Sequence, residues 1–229
     1  MAQAGAGTRS QVKEYIRKGN VAVNGSVVKR PELAVNELTD DIQLFGEKLC
    51  FKQYHYYMLN KPAGVVTATK DNHEMTVMDL MRTAQGRDLF PVGRLDKDTV
   101  GLLIITDDGE LSHRLLSPKR HVEKTYYVEY EGELFPDAAE RLARGVDIGD
   151  AAPTLPARAC MTASCSLELS ITEGRYHQVK RMIQAVGGKV TYLKRTAFGG
   201  LCLDESLPEG AWRELSEEET TQLKAHGRL

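Results

Sequence analysis

The stretch Gly93-Arg94-Leu95-Asp96-Lys97-Asp98-Thr99-Val100-Gly101 constrains this chain more than any other. A short apolar run, Leu89 to Val92, precedes it, and a stronger one, Leu102 to Ile105, follows it. Apolar runs of that length, bounded by glycines, read as strands. An arginine, two aspartates, a lysine and a threonine are therefore confined to a glycine-bracketed loop between two core strands. Loops held by a rigid scaffold are where binding and catalytic groups concentrate. Spacing alone also allows a solvated charged turn.

The flanking sequence divides into a small module and a larger domain. Thr8-Arg9-Ser10-Gln11 fits a capping box, and a helix from Arg9 to Lys18 should follow, stopped by Gly19. It shows Arg9, Lys13, Arg17 and Lys18. Val21 to Val28 reads as a hairpin with an Asn-Gly turn, and Asp41 to Phe45 as a third strand. Cys50 to Gln53 is a linker. The expected division is 1–49, a linker at 50–54, and 55–229.

In the larger part, His55 to Leu59 and Val65 to Thr69 are expected strands around the turn Asn60-Lys61-Pro62-Ala63-Gly64. Thr76 to Met81 reads as a short helix with its methionines in the core. Thr106-Asp107-Asp108-Gly109 is a turn into a helix from Glu110 to Leu116. Its aspartates suit a helix start better than a metal, since no third carboxylate lies at ligand spacing. Ser117 to His121 is a basic loop carrying Lys119 and Arg120. Glu123 to Tyr130 alternates as a strand, with Lys124, Tyr126, Val128 and Tyr130 on one face. A helix from Pro136 to Arg144, a loop from Gly145 to Met161 and a strand from Ser166 to Ile171 follow.

Glu173-Gly174-Arg175 then leads into a helix from Tyr176 to Val186, ended by Gly187-Gly188. Val179, Met182, Ile183 and Val186 form its buried stripe. His177, Lys180, Arg181 and Gln184 lie on the other side. Cations near the first turns are poor for helix stability and good for holding an anion, phosphate or carboxylate. Val190 to Leu193 and Gly200 to Leu203 are the last expected strands. Ser216 to Glu219 caps a C-terminal helix with solvated acids. Strands alternating with helices and antiparallel hairpins indicate α+β.

Composition enters where it limits function. A chain of 229 residues, 41% of them hydrophobic, can bury a sizeable core. Net charge is −2, which by itself argues weakly against a polyanion partner. The average conceals a patch: Glu173 to Arg195 holds one acid against six bases. Local potential, not net charge, steers a polyanion. The four cysteines make no CxxC pair and read as reduced thiols. No signal peptide or membrane-spanning run is present, so a cytoplasmic protein with no membrane partner is expected. GxGxxG, P-loop, nucleophile-elbow and metal patterns are absent. An enzyme here must work with a carboxylate, cations and an aromatic.

Three motifs in order, GRLDKDTVGLLIITDDGEL, SPKRHVEKTY and EGRYHQVKRM, resemble the pseudouridine synthases of the small-subunit ribosomal RNA type. The resemblance runs from about Thr8 to Glu219, and "NKPAGV" joins it. "RKGNVAVNG" and "DDIQL" resemble the S4 RNA-binding module. That module normally has one more helix before this point, so a module shortened at its start is expected.

The resemblance implies an α+β fold with a mixed, mostly antiparallel, bent sheet flanked by helices. It implies isomerisation of a uridine in ribosomal RNA, that of the small subunit, by a monomer without cofactor or metal. Asp96 corresponds to the family's aspartate, acting as nucleophile or as a base at the ribose. Tyr126 would stack on the flipped base and move a proton at C5. Lys180 would pair with Asp96, keeping it ionised, or hold a phosphate. Arg94 would fill the space of the flipped base or grip the backbone. Lys61, Lys119, Arg120, Lys124, Arg175, His177 and Arg181 are expected RNA contacts, with the four cations of the first helix. Asp98 and Thr99 would shape the loop by local hydrogen bonds. The alternatives are a large-subunit enzyme, or an RNA-binding assembly factor without catalysis.

Overall fold

The computed structural model describes residues 1–2, 6–36, 39–49, 53–84, 86 and 88–226. It divides the chain into two compact units, Met1–Tyr54 and His55–Leu229. The linker expected at 50–54 lies partly outside the described residues, as does Cys50.

In the first unit, helix α1 spans Arg9–Arg17. Its capping box forms: Gln11 N donates to Thr8 Oγ1 (3.3 Å), and Thr8 N to Gln11 Oε1 (2.8 Å). Strands β1 (Val21–Val23) and β2 (Ser26–Val28) pair around Asn24 and Gly25, at φ 50° and 78°. Two successive left-handed residues make the turn that matches strand twist. Strand β3 (Ile42–Leu44) pairs with β1, and β4 (Glu47–Lys48), which the sequence did not signal, pairs with β3. Val12, Ile16 and Val21 form the small core. The cations Arg9, Lys13, Arg17 and Lys18 are exposed; Lys18 pairs with Glu14 one turn back.

The second unit begins with β5 (Tyr56–Lys61), buried along its length. Strand β6 (Phe90–Pro91) and strand β7 (Val100–Thr106) flank the Asp96 loop, as the apolar runs predict. Next come α2 (Gly109–Leu116), β8 (Lys124–Gly132), α3 (Ala138–Arg144), β9 (Arg158–Ala163) and β10 (Ser166–Ile171). They are followed by α4 (Gln178–Ala185), β11 (Gly188–Phe198), β12 (Leu201–Cys202), β13 (Trp212–Glu214) and α5 (Glu217–His226).

Among the described residues the strands form one mixed sheet in the order β13-β5-β7-β11-β8-β10-β9. Strands β6 and β12 attach to β7 and β11. Within that sheet, among the described residues, β7 and β11 are the pair that runs parallel. Both faces of the central strands are covered. Tyr57, Leu59, Leu103 and Ile105 pack under α3 and α4, through Leu142, Val179, Met182 and Ile183. Tyr56, Met58, Leu102 and Ile104 pack under α2 and α5, through Leu111, Leu115 and Leu223. Double-sided burial explains why β7 reads as a continuous apolar run.

Four expectations need correction. Val65 to Thr69 is no strand: Val66 makes a single bridge to Thr76, and the exposed turn at Asp71 carries the chain back. The expected helix at Thr76 to Met81 shrinks to a 3₁₀ turn at Asp79–Met81, with the Asp79 carboxylate accepting from Thr76 N and Oγ1. Part of the loop from Gly145 to Met161 is β9, an edge strand specified by its partner β10. The acids of α5 are not all merely solvated, because Glu219 accepts two bonds from Arg213 at 2.8 Å.

Candidate active site

The Asp96 loop is fixed from beneath by Lys61, at the end of β5. Lys61 is fully buried, and its Nζ donates to four carbonyls: Pro62 (3.1 Å), Asp96 (3.1 Å), Lys97 (3.2 Å) and Thr99 (2.9 Å). This corrects the expectation of an RNA contact, since no donor remains to reach one. Burial pushes its pKa down to about 8, against the pull of Asp98 and Asp96, so it is charged at neutral pH. Thr67 adds a second clamp: its hydroxyl donates to Leu95 O (2.8 Å) and accepts from Leu95 N (3.2 Å). At the far end, Gly101 has φ +101°, and a Cβ there would lie 2.3 Å from Arg195 O. Only glycine lets β7 approach β11 there.

Asp96 therefore projects from a rigid loop with its side chain 30% exposed. Its Oδ2 lies 3.3 Å from Lys180 Nζ, and its Oδ1 lies 3.5 Å from His177 Nε2. Lys180 also contacts Asp98, 2.6 Å from Nζ to Oδ1. Burial works against the ammonium, but the two aspartates outweigh it and leave its pKa raised. The hydrogen bond from Lys180, with its charge, holds Asp98 below the usual carboxylate range despite desolvation. So Asp98 shapes the site through Lys180 as well as by a local bond to its own backbone. Thr99 Oγ1 is buried without a partner among the described residues.

Helix α4 brings Lys180 and His177 to the loop. His177 is its N-cap, in the left-handed region at φ 47°. Gln178 Oε1 accepts from Arg175 N (2.8 Å), and Gln178 Nε2 donates to Glu173 Oε1 (2.8 Å). Arg175 and Arg181 reach across to the 148–153 segment. Arg175 donates to Glu173 Oε2 (3.0 Å) and to the carbonyls of Ala152 (2.6 Å) and Pro153 (2.8 Å). Arg181 pairs with Asp150 (2.5 Å) and donates to the carbonyls of Ile148 and Tyr176. Both brace the 148–153 segment against α4, with 25% of each side chain left exposed.

A cleft of about 900 Å³ opens above the loop. Asp96, Tyr126, His177, Lys180, Arg94 and Lys124 all line it. Tyr126 comes from β8, opposite Leu169 of β10 and Arg195 of β11, with 8% of its surface exposed. Lys124 Nζ donates to Val122 O (2.8 Å), and burial, then the neighbouring Arg195, pushes its pKa down to about 8. Arg94 is exposed. Lys119 and Arg120 occupy a 3₁₀ turn, Pro118–Arg120, beyond the cleft lining. Among the described residues no group of three His, Cys, Asp or Glu side chains could hold a metal, and no helix is long and apolar enough to cross a membrane.

Two residues escaped the sequence reading. Arg195 lies on the cleft lining inside β11, and its only signal was a cation within an apolar strand. The clamping role of Lys61 had no sequence signal beyond its place in "NKPAGV".

The site thus sets a carboxylate between a lysine and a histidine, in a cleft that Tyr126 also lines. The comparisons name the class. The RNA pseudouridylate synthase family matches residues 55–185, and the S4 domain matches 1–42. An uncharacterised RNA pseudouridine synthase of Bacillus subtilis is 43% identical over 224 residues, covering 96% of this chain and 94% of that protein. The ribosomal small subunit pseudouridine synthase A of Haemophilus influenzae is 40% identical, covering 94% of each. A crystal structure of a pseudouridylate synthase superposes with a TM-score of 0.71 at 38% identity, covering 97% of this chain and 96% of that one. The chain belongs to the RNA pseudouridine synthase family, and is an isomerase with an S4 domain at its N-terminus.

Proposed function

We propose that this protein converts one uridine of small-subunit ribosomal RNA to pseudouridine, with Asp96 as the reacting carboxylate. The observation that carries this is the placement of Asp96 between Lys180 and His177, in the cleft that Tyr126 also lines. The small-subunit target is supported by 40% identity over almost the whole chain to the Haemophilus enzyme.

The chemistry needs what the cleft contains. The uridine leaves its stack and enters, at a cost of about a few kcal/mol for unstacking. Tyr126 offers its ring to the base. Asp96 acts on the ribose, as nucleophile or as base, while the bond from N1 to C1′ breaks. The uracil turns and rejoins through C5, losing the C5 proton and gaining one at N1. Lys180 sets its ammonium 3.3 Å from the carboxylate, which positions it and balances its charge. Arg94, Lys119 and Arg120, with the exposed cations of α1, supply the salt-sensitive contacts that hold the strand.

The test is a map of pseudouridines in ribosomal RNA from cells lacking the protein, read as carbodiimide-dependent stops of reverse transcription. One small-subunit stop should vanish, returning with the wild type but not with Asp96→Asn. Unchanged ribosomal stops would reject the small-subunit target.

A further inference from the structure

Arg195 has only 2% of its surface exposed, and no carboxylate among the described residues pairs with it. Its Nε donates to Leu102 O (2.8 Å), while its Nη2 is buried with no partner. Buried cations are normally paired and hydrogen-bonded, so a donor left over on a residue that lines a cleft calls for an acceptor that arrives with a ligand.

A second cation stands beside it. Arg195 is the register partner of Tyr126, so the two side chains share one face of the sheet. Lys124 lies two residues along on that face. The guanidinium of Arg195 is 5.1 Å from the centre of the Phe198 ring, and Lys124 Nζ is 5.7 Å from the same centre. Two like charges over one ring repel, and burial and Arg195 together depress the pKa of Lys124 to about 8. Glu173 relieves Lys124 only in part, since its carboxylate is itself paired with Arg175 at 3.0 Å.

Several parts of an RNA substrate could supply the acceptor. The phosphates of a flipped nucleotide belong to a chain that must enter and leave, which keeps them at the rim. Its base alone reaches the floor. Resting on the uridine-isomerase reading above, we propose that Arg195, with Lys124, donates hydrogen bonds to the carbonyl oxygens of the flipped uracil and holds the negative charge that develops there.

When the bond from N1 to C1′ breaks, its electron pair leaves with the ring and spreads over N1 and the two carbonyl oxygens. Fixed donors aimed at developing charge act most strongly where water is excluded. The charge is transient: C5 bonds to C1′, its proton passes to solvent, and N1 takes one up. Arg195 and Lys124 carry donors only. Cytosine would place its own amino donors against them, and a site built to bond one pattern rejects the other.

The experiment uses the full chain and a short RNA containing the target site. In an Asp96→Asn background, which allows binding without turnover, affinity is measured for RNA with uridine, cytidine or an abasic residue at the target. With Arg195 present, uridine should bind about tenfold more tightly than cytidine. With Arg195→Gln, whose amide can also accept, that preference should fall to within about twofold, and abasic affinity should be unchanged. Single-turnover rate in the Asp96 protein should fall about a hundredfold with Arg195→Gln. If Arg195→Gln does not fold, as thermal melting would show, Lys124→Met provides the test: the preference for uridine should drop about threefold. An unchanged preference in the folded variant overturns the proposal. So does a loss of abasic affinity that matches the effect of a methylphosphonate at a flanking phosphate, which makes Arg195 a backbone contact. A wild-type protein with no turnover on small-subunit RNA would instead defeat the parent reading, while the preference for uridine would still be read from binding.

Discussion

Replacing Lys61 by methionine separates two roles that the sequence could not tell apart. Methionine keeps the apolar stem and removes the ammonium. Four carbonyls, all within 3.2 Å, would then lose their donor, and three of them belong to the Asp96 loop. Hydrogen bonds to a charged group contribute about 1.5–3 kcal/mol each, not additively, and removing one partner of a buried charged network costs about 3–5 kcal/mol. A destabilisation of about 3–4 kcal/mol is expected, which lowers Tm by about 10 °C in a domain of this size. Thermal and urea unfolding would measure it. Amide exchange at Asp96 to Thr99 should quicken, and turnover should fall as the carboxylate loses its position. RNA affinity should stay within about threefold, because affinity is carried by the exposed cations. A Lys61→Met protein with unchanged Tm and lost RNA affinity would refute the reasoning, and Lys61 would then be a nucleic-acid contact.

Other outcomes follow from the same geometry. Asp96→Asn should abolish turnover and leave RNA affinity within about threefold, since the cationic contacts remain; parallel loss of both would contradict that division. Lys180→Ala should slow single-turnover rate by about a hundredfold and weaken binding, and it should lower the melting temperature little, because the ammonium is partly exposed. RNA affinity should fall as pH rises past about 8, where Lys124 loses its charge in the free protein. The same titration in Lys124→Met should show no such step near pH 8. The Lys180–Asp98 pair has the opposite signs: Asp98 stabilises above its ordinary carboxylate value and loses this as pH falls through its lowered pKa, whereas Lys180 loses its contribution only above its ordinary lysine value. Between pH 5 and 9 that pair should therefore make a constant contribution to the unfolding free energy, with no pH dependence of its own, as urea titrations at each pH would reveal.

Much of this protein was legible because local rules decide it. The α1 capping box, the Asn24-Gly25 hairpin, the buried stripe of α4 and the loop between β6 and β7 follow from spacing of two to four residues, and the structure has all of them. The motifs around Asp96, Tyr126 and Lys180 were legible as well, and the fold brings these residues to one cleft across 84 positions of sequence. The strand at 158–163 was not legible, since an edge strand is specified by the partner it joins.

The fate of each cation was not legible either. Lys61, Arg175, Arg181, Lys124 and Arg195 look alike in a sequence, as positive charges near functional motifs. Only the folded chain shows Lys61 surrounded by carbonyls, Arg175 and Arg181 bonded to the 148–153 segment, and Lys124 and Arg195 over one ring with no ion pair among the described residues. Residue type and spacing set which groups a chain carries and which elements carry them. Whether a charge is neutralised depends on distances of 3 to 5 Å between segments far apart in sequence, and those distances exist only after folding.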